Sequence, residues 1–438
     1  MRTLRAAAAA LAVLCVPLCA GAGPVPLHVD GENLVDPAGR PVLLRGVNFG
    51  NWLVLESYFY GAKFPDERSL WALIASRFGA QAADQVREAH RANWVTAADF
   101  RRVKALGFNV VRVPFWSDVL EDPDKPGQWK PEGWKWLDFA VDQCRETGVY
   151  CVLDLHGAPG GQSKEDHTGA AGRNKYWNSP QDHARAENIW RAVAARYRGR
   201  PEIAAFDLLN EPMGAPSDAA IVSAYDELVA AVRSSDPDRL VIVEDAYRGL
   251  GLFPTPASQG WTGVIFSEHH YATMGVPDAT PDMTKNYIDR AFPAAAQQQA
   301  RLGAPVFVGE WNVMDAASGG APMTRLYVSD MESRGWSWAV WTYKQASAAG
   351  VPPDDFWSLY RNPSPAAIPD FARDTLDAIL RKIAGLRTEN MTLFSPLAGA
   401  LQDDGAAKAQ TAAAPLQRGA ARSANAVFAQ TAAGLARP

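Results

Sequence analysis

The chain has 438 residues, of which 47% are hydrophobic and 21% charged, and its formal net charge is −5. That composition gives ample material for a large core and excludes a chain too polar to fold. The negative balance offers no basis for a nucleic-acid partner.

Residues 1–22 read as an export signal. Arg2 and Arg5 precede the apolar stretch "AAAAALAVLCVPLCA", and "AGA" at 20–22 supplies small residues for cleavage. The stretch is too short to favour a membrane span, so a secreted or periplasmic protein is expected. Cys15 and Cys19 leave with the signal. Cys144 and Cys151, in "CRETGVYC", remain. They read either as a disulfide formed after export or as two buried thiols on a neighbouring helix and strand.

Residues 27–44 read as a β-hairpin that covers the floor of the following domain. Eight β-rich runs come next: "LLRGVNF" (43–49), "FNVVRVPF" (108–115), "VYCVLDLH" (149–156), "IAAFDLLN" (203–210), "RLVIVE" (239–244), "GVIFSEHHY" (263–271), "APVFVGEW" (304–311) and "WSWAVWTY" (336–343). Helical stretches lie between them, several closing on glycine, among them "AADFRRVKALG" and "WKWLDFAVDQCRETG". This alternation predicts an α/β fold, a (β/α)8 barrel spanning 27–384. A doubly wound open sheet is the other reading, but no G-x-G-x-x-G opens the first helix. From residue 385 to 438 alanine dominates and aromatics nearly vanish, and "AQTAA" occurs twice. This segment reads as a disordered tail.

In a (β/α)8 barrel the chemistry sits at the C-terminal strand ends. Glu211 follows the fourth strand and Glu310 ends the seventh. Two carboxylates on one rim suit glycoside hydrolysis, which needs one proton donor and one nucleophile. Either glutamate alone reads better as a solvent-facing cap. Arg112 on the second strand and Tyr271 after the sixth can hold Glu310 ionised, and Glu310 in turn is expected to raise the pKa of Glu211. Asn210 offers an amide to a sugar 2-hydroxyl. His156 on its own reads as a satisfied core histidine. No H-x-H marks the first strand, so neither metal nor cofactor is expected.

These residues resemble glycoside hydrolase family 5, the cellulase and exo-β-1,3-glucanase family. The matching features are "NEP" after the fourth strand, H-x-Y after the sixth, Glu after the seventh, Trp after the eighth, Arg on the second and His on the third. Here Asn210, Glu211, His269, Tyr271, Glu310, Trp341, Arg112 and His156 fill them, in order, over residues 27–380. The resemblance implies a retaining double displacement, with Glu211 as acid/base and Glu310 as nucleophile. "LRGVNFGNWLVLES" (44–57) and "LDLHGAPGGQ" (153–162) are similar to the exo-β-1,3-glucanase branch, which implies that Glu56 binds a terminal sugar. The other reading of Glu56 is an ion pair with Lys63 or Arg68. "SKEDHTGAAGRNKYW" (163–177) and "WTYK" (341–344) depart from that branch. The expected partner is an oligo- or polysaccharide, a β-glucan, met by a monomer. The alternatives are an endo-β-1,4-glucanase, a transglycosylating enzyme of exported polysaccharide assembly, and a sugar-binding protein without turnover.

Overall fold

The computed structural model describes residues 23–61, 64–346, 356–363 and 368–402. The expected signal, Lys63 and the chain from residue 403 onward lie outside the described residues.

A two-stranded hairpin comes first, β1 (His28–Asp30) with β2 (Asn33–Val35). The barrel strands follow: β3 (Arg45–Asn48), β4 (Val110–Trp116), β5 (Tyr150–Gly157), β6 (Ile203–Asp207), β7 (Val241–Glu244), β8 (Val264–His270), β9 (Val306–Trp311) and β10 (Ser337–Val340). They pair in parallel in chain order, and β10 closes on β3 through Trp338–Arg45, Ala339–Gly46 and Val340–Val47. Six of the eight predicted runs contain their strands, β4 and β5 each extend one residue past theirs, and the expected (β/α)8 barrel is the observed fold.

Burial explains the continuous apolar runs. A barrel strand has interior side chains on one face and helices on the other, so β4 and β5 are buried along their whole length. Each fully buried Val, Leu or Phe contributes about 1.5–3 kcal/mol relative to an exposed one. Val110, Val152, Ile242, Ile265 and Phe307 fill the barrel interior, and Leu34 of β2 joins them. The hairpin therefore covers the N-terminal floor, as its position in the sequence predicts.

Two helices, Glu67–Phe78 and Ala80–Trp94, lie between β3 and β4 and were not foreseen. Described structure continues past residue 384, where the barrel is expected to end. Past it, Ser395–Leu401 is helical and buries Leu397 and Leu401. A small three-stranded sheet, β11 (Lys344–Gln345), β12 (Tyr360–Arg361) and β13 (Thr392–Leu393), joins this segment to the barrel top. Lys344, in the unusual "WTYK", is buried, and its amine donates to Leu386 O at 2.9 Å and Thr388 Oγ1 at 3.1 Å. Cys144 and Cys151 are buried free thiols. Among the described residues, no helix is long and apolar enough to cross a membrane.

Candidate active site

Arg112, on β4, is wholly buried at the C-terminal end of the barrel. Burial of a lone guanidinium is costly unless every N–H finds a partner. Here Nε donates to Asp207 Oδ2 at 2.8 Å. Nη1 donates to Asn48 Oδ1 at 3.1 Å and Glu310 Oε1 at 2.8 Å. Nη2 donates to Asn210 Oδ1 at 2.8 Å and Glu244 Oε1 at 3.0 Å, and lies 3.0 Å from Asp154 Oδ2. One cation thus meets four carboxylates. Burial pushes the Asp154 and Asp207 carboxyls well above their usual range, despite the pull of Arg112. For Asp207 the Glu244 charge adds to the rise.

Glu310 ends β9 with its second oxygen, Oε2, accepting from Tyr271 Oη at 2.7 Å. The preceding Gly309 is required by packing. A Cβ there would stand 2.8 Å from His269 Nε2 and 3.0 Å from Ser267 Oγ. Glu211 stands opposite, in a turn just past β6, with φ at +38°. Its backbone N–H donates to Glu244 Oε2 at 2.7 Å, which fixes the turn. Its Oε1 accepts from Tyr247 Oη at 2.5 Å and His269 Nδ1 at 2.7 Å. Its Oε2 lies 3.5 Å from His167 Nδ1. One oxygen of Glu211 and one of Glu310 lie within 4.8 Å of each other.

The electrostatics correct one expectation. Burial raises the pKa of Glu211, but the hydrogen bond and charge of His269 outweigh it, and the group is held below the usual carboxylate range. Burial lowers the pKa of His269, but Glu244 and Glu310 outweigh that and hold it well above the usual value. His269 is thus the donor that sets the direction for Glu211, and repulsion from Glu310 does not.

The remaining predicted residues gather around this pair. His156 is 2.7 Å from Asp154 Oδ2 and stacks on Trp341, with ring centroids 5.6 Å apart and planes 7° from parallel. Burial pushes its pKa down. Trp341 Nε1 donates to Tyr58 Oη at 2.7 Å. Asn210 gives its oxygen to Arg112, while its buried Nδ2 has no protein partner. Glu56 is buried, and Oε1 has no protein partner. Burial and the Asp166, Glu310 and Glu211 charges push its pKa well up. Arg68 pairs with Asp118 at 2.5 Å instead.

Sequence reasoning missed Asp154, Asp207, Glu244, Tyr247 and His167. Asp154, Asp207 and Glu244 also bring oxygens within 4.8 Å of one another, as metal ligands do, but the Arg112 guanidinium bonds all three. In the trio Glu211, His269 and Glu310, the carboxylates already accept hydroxyl protons from Tyr247 and Tyr271. A donor-lined carboxylate pair is suited to proton transfer and to attack on an electrophilic carbon.

Residues 81–347 match the family model for cellulase, glycosyl hydrolase family 5. The chain is similar to a beta-xylosidase of Phanerodontia chrysosporium, 28% identical over 345 residues, covering 74% of this chain and 72% of that protein. It is 31% identical over 296 residues to a probable glucan 1,3-beta-glucosidase A of Aspergillus fumigatus, covering 62% of this chain and 65% of that protein. The chain thus spans just under two thirds of that glucosidase. Among solved structures, rutinosidase from Aspergillus niger shares the fold with a TM-score of 0.59 and 22% identity, covering 72% of this chain and 95% of that one. Cel5A of Thermotoga maritima, in complex with cellobiose, does so with a TM-score of 0.55 and 20% identity, covering 82% and 97%.

Proposed function

The chain belongs to the cellulase family, glycosyl hydrolase family 5, and from that premise we propose that it is a retaining, exo-acting β-1,3-glucan hydrolase with Glu310 as nucleophile and Glu211 as acid/base. The observation that carries this reading is the close approach of the two carboxylates, with oxygens within 4.8 Å. Retaining enzymes hold their carboxyl groups about 5–5.5 Å apart, whereas inverting ones leave about 6.5–9.5 Å for a water.

In the first step a Glu310 oxygen bonds to the anomeric carbon. The bond from that carbon to the leaving oxygen breaks, and Glu211 gives that oxygen its proton. In the second step water attacks the same carbon, Glu211 takes the water's proton, and Glu310 is released as carboxylate. Arg112 and Tyr271 each donate to one oxygen of Glu310, which sets its orientation for attack. The free amide N–H of Asn210 suits a sugar 2-hydroxyl. Glu56, with an unpartnered buried oxygen on the same rim, suits the hydroxyls of a terminal sugar. The names of the glucosidase relatives support the β-1,3 linkage. The secretory reading of residues 1–22 supports export.

The test is a pair of variants assayed on aryl β-glycosides of differing leaving group. Glu310→Gln should lose turnover on all of them. Glu211→Gln should lose least on the best leaving group and recover part of its activity with azide. Equal loss on every leaving group, with no azide rescue, would remove Glu211 from the acid/base role.

A further inference from the structure

Glu211 is held unevenly. Oε1 accepts two hydrogen bonds, from Tyr247 Oη at 2.5 Å and His269 Nδ1 at 2.7 Å, and a carboxylate oxygen has two lone pairs in its plane. Oε2 lies 3.5 Å from the imidazole of His167. We propose that Glu211 is a one-sided acid: Tyr247 and His269 fill Oε1, the proton that leaves for the glycosidic oxygen rides on Oε2, and His167 faces that proton. This rests on the acid/base reading of Glu211 and adds two positioning residues to it.

The Tyr247 loop is shaped for the purpose. Ala246 and Tyr247 have φ of +56° and +60°, two successive non-glycine residues in the left-handed region. Such a conformation is rare outside glycine and persists only where its surroundings enforce it. Asp245 does the enforcing, since its carboxylate accepts from the N–H of Tyr247 at 3.2 Å and of Gly249 at 2.7 Å. The result aims the Tyr247 hydroxyl at Glu211 and sets its ring edge-on to His269, with centroids 6.4 Å apart. Tyr247 is 37% exposed, so hydrophobic burial alone does not explain its placement.

His167 comes from the 163–177 segment that departs from the exo-β-1,3-glucanase branch. Its Nε2 is 2.9 Å from Ser163 Oγ, and its ring stands edge-on to His156. With Nε2 paired to the Ser163 hydroxyl, Nδ1 is turned toward Glu211 Oε2. The Nδ1–H of His269 is donated to Oε1, and with the Tyr247 hydroxyl it occupies both lone pairs there. Glu211 can therefore be protonated only on Oε2.

The charged and titratable groups facing Glu211 are His269 of β8, Tyr247 and Asp245 after β7, His167 after β5, Glu310 of β9 and Glu56 after β3. Glu244 of β7 holds its main chain. Among them Tyr247 is the neutral donor that can be removed without altering charge. Its hydrogen bond favours the ionised form of Glu211, so its loss raises the pKa of the acid.

The experiment uses the full chain and whichever of phenyl β-glucoside or phenyl β-xyloside it hydrolyses, with the matching dinitrophenyl glycoside. Tyr247→Phe should move the basic limb of the kcat/KM profile up by about one pH unit. His167→Gln should lose about tenfold on the phenyl glycoside and little on the dinitrophenyl one, which needs no proton. Both variants should melt within a degree or two of the wild type. An unmoved basic limb in Tyr247→Phe, or equal losses on both substrates in His167→Gln, overturns the inference. If Glu211→Gln is itself blind to leaving group, the acid/base reading fails first. If Glu211→Gln behaves as an acid/base variant and these two do not respond, this inference alone fails.

Discussion

Arg112→Met puts the buried charge network to a quantitative test. The guanidinium is the shared partner of Asp154, Asp207, Glu244 and Glu310. Methionine keeps much of the volume and removes every donor. Breaking a buried ion pair by deleting one partner costs about 3–5 kcal/mol. Unfolding entropy is about 2.1 cal/mol/K per residue, which over the roughly 365 described residues gives about 0.8 kcal/mol/K. The variant should therefore melt about 4–6 °C lower near neutral pH. The deficit should also depend on pH. Burial already raises Asp154 and Asp207 above the usual carboxylate range, and without Arg112 they rise further. A carboxyl with a raised folded pKa contributes its stability below the unfolded value and loses it as pH climbs through the folded one. The deficit should thus be smallest near pH 4 and grow toward pH 7. Scanning calorimetry at those two pH values checks both points. A deficit below about 1 °C, or one that shrinks as pH rises, would refute the reasoning.

Glu56→Ala should lower kcat/KM on β-1,3-glucan by about tenfold to a hundredfold, as hydrogen bonds to a charged or buried partner contribute about 1.5–3 kcal/mol; rapid viscosity loss with the wild type and a silent variant would point to endo action. Truncation after Gly385 removes Leu386, Leu397 and Leu401 from the core and both acceptors of the buried Lys344 amine, so the melting temperature should fall by several degrees; an unchanged value would show that this segment contributes nothing. Burial lowers both His90 and His270 from 6.5 to about 3. Between those pH values the unfolded chain binds more protons than the folded one. Stability should fall by about 1.4 kcal/mol per histidine for each pH unit below 6.5, measured by urea unfolding, and His90→Gln should flatten the slope.

The barrel was legible because buried parallel strands read as apolar runs, and because glutamates at the ends of "FDLLNE" and "VFVGE" break that pattern where a rim is expected. Asp154, Asp207 and Glu244 broke the same pattern inside "VLDLH", "FDLL" and "VIVE" and went unread. A carboxylate in a buried strand demands a cation, and Arg112 was the available one, so the signal was present. Tyr247 and His167 left no such trace. They lie on loops, where neither period nor burial marks a residue, and only the folded path of Asp245–Gly249 and Ser163–His167 brings them to Glu211. The helices at 67–94 were missed because in "AQAADQVREAHRANW" the buried stripe is made largely of small or polar residues, Ala82, Ala83, His90 and Arg91 beside Val86 and Trp94. The cysteines could not be decided from spacing, which does not report whether two side chains point at each other.

The closure of β10 on β3 has a kinetic consequence. Leu44 donates to Ser337 Oγ across 293 positions of chain, and Asn48 Nδ2 reaches Gly309 O and Ala339 O. Contacts of such sequence separation form late, because the entropy of closing the loop must be met before they contribute. Asn48 also holds Arg112, which holds Glu310. The cleft that receives substrate is therefore complete only when the first and last strands meet. Recovery of catalysis during refolding should trail recovery of helical circular dichroism, so that turnover serves as a clock for the final stitch of the barrel.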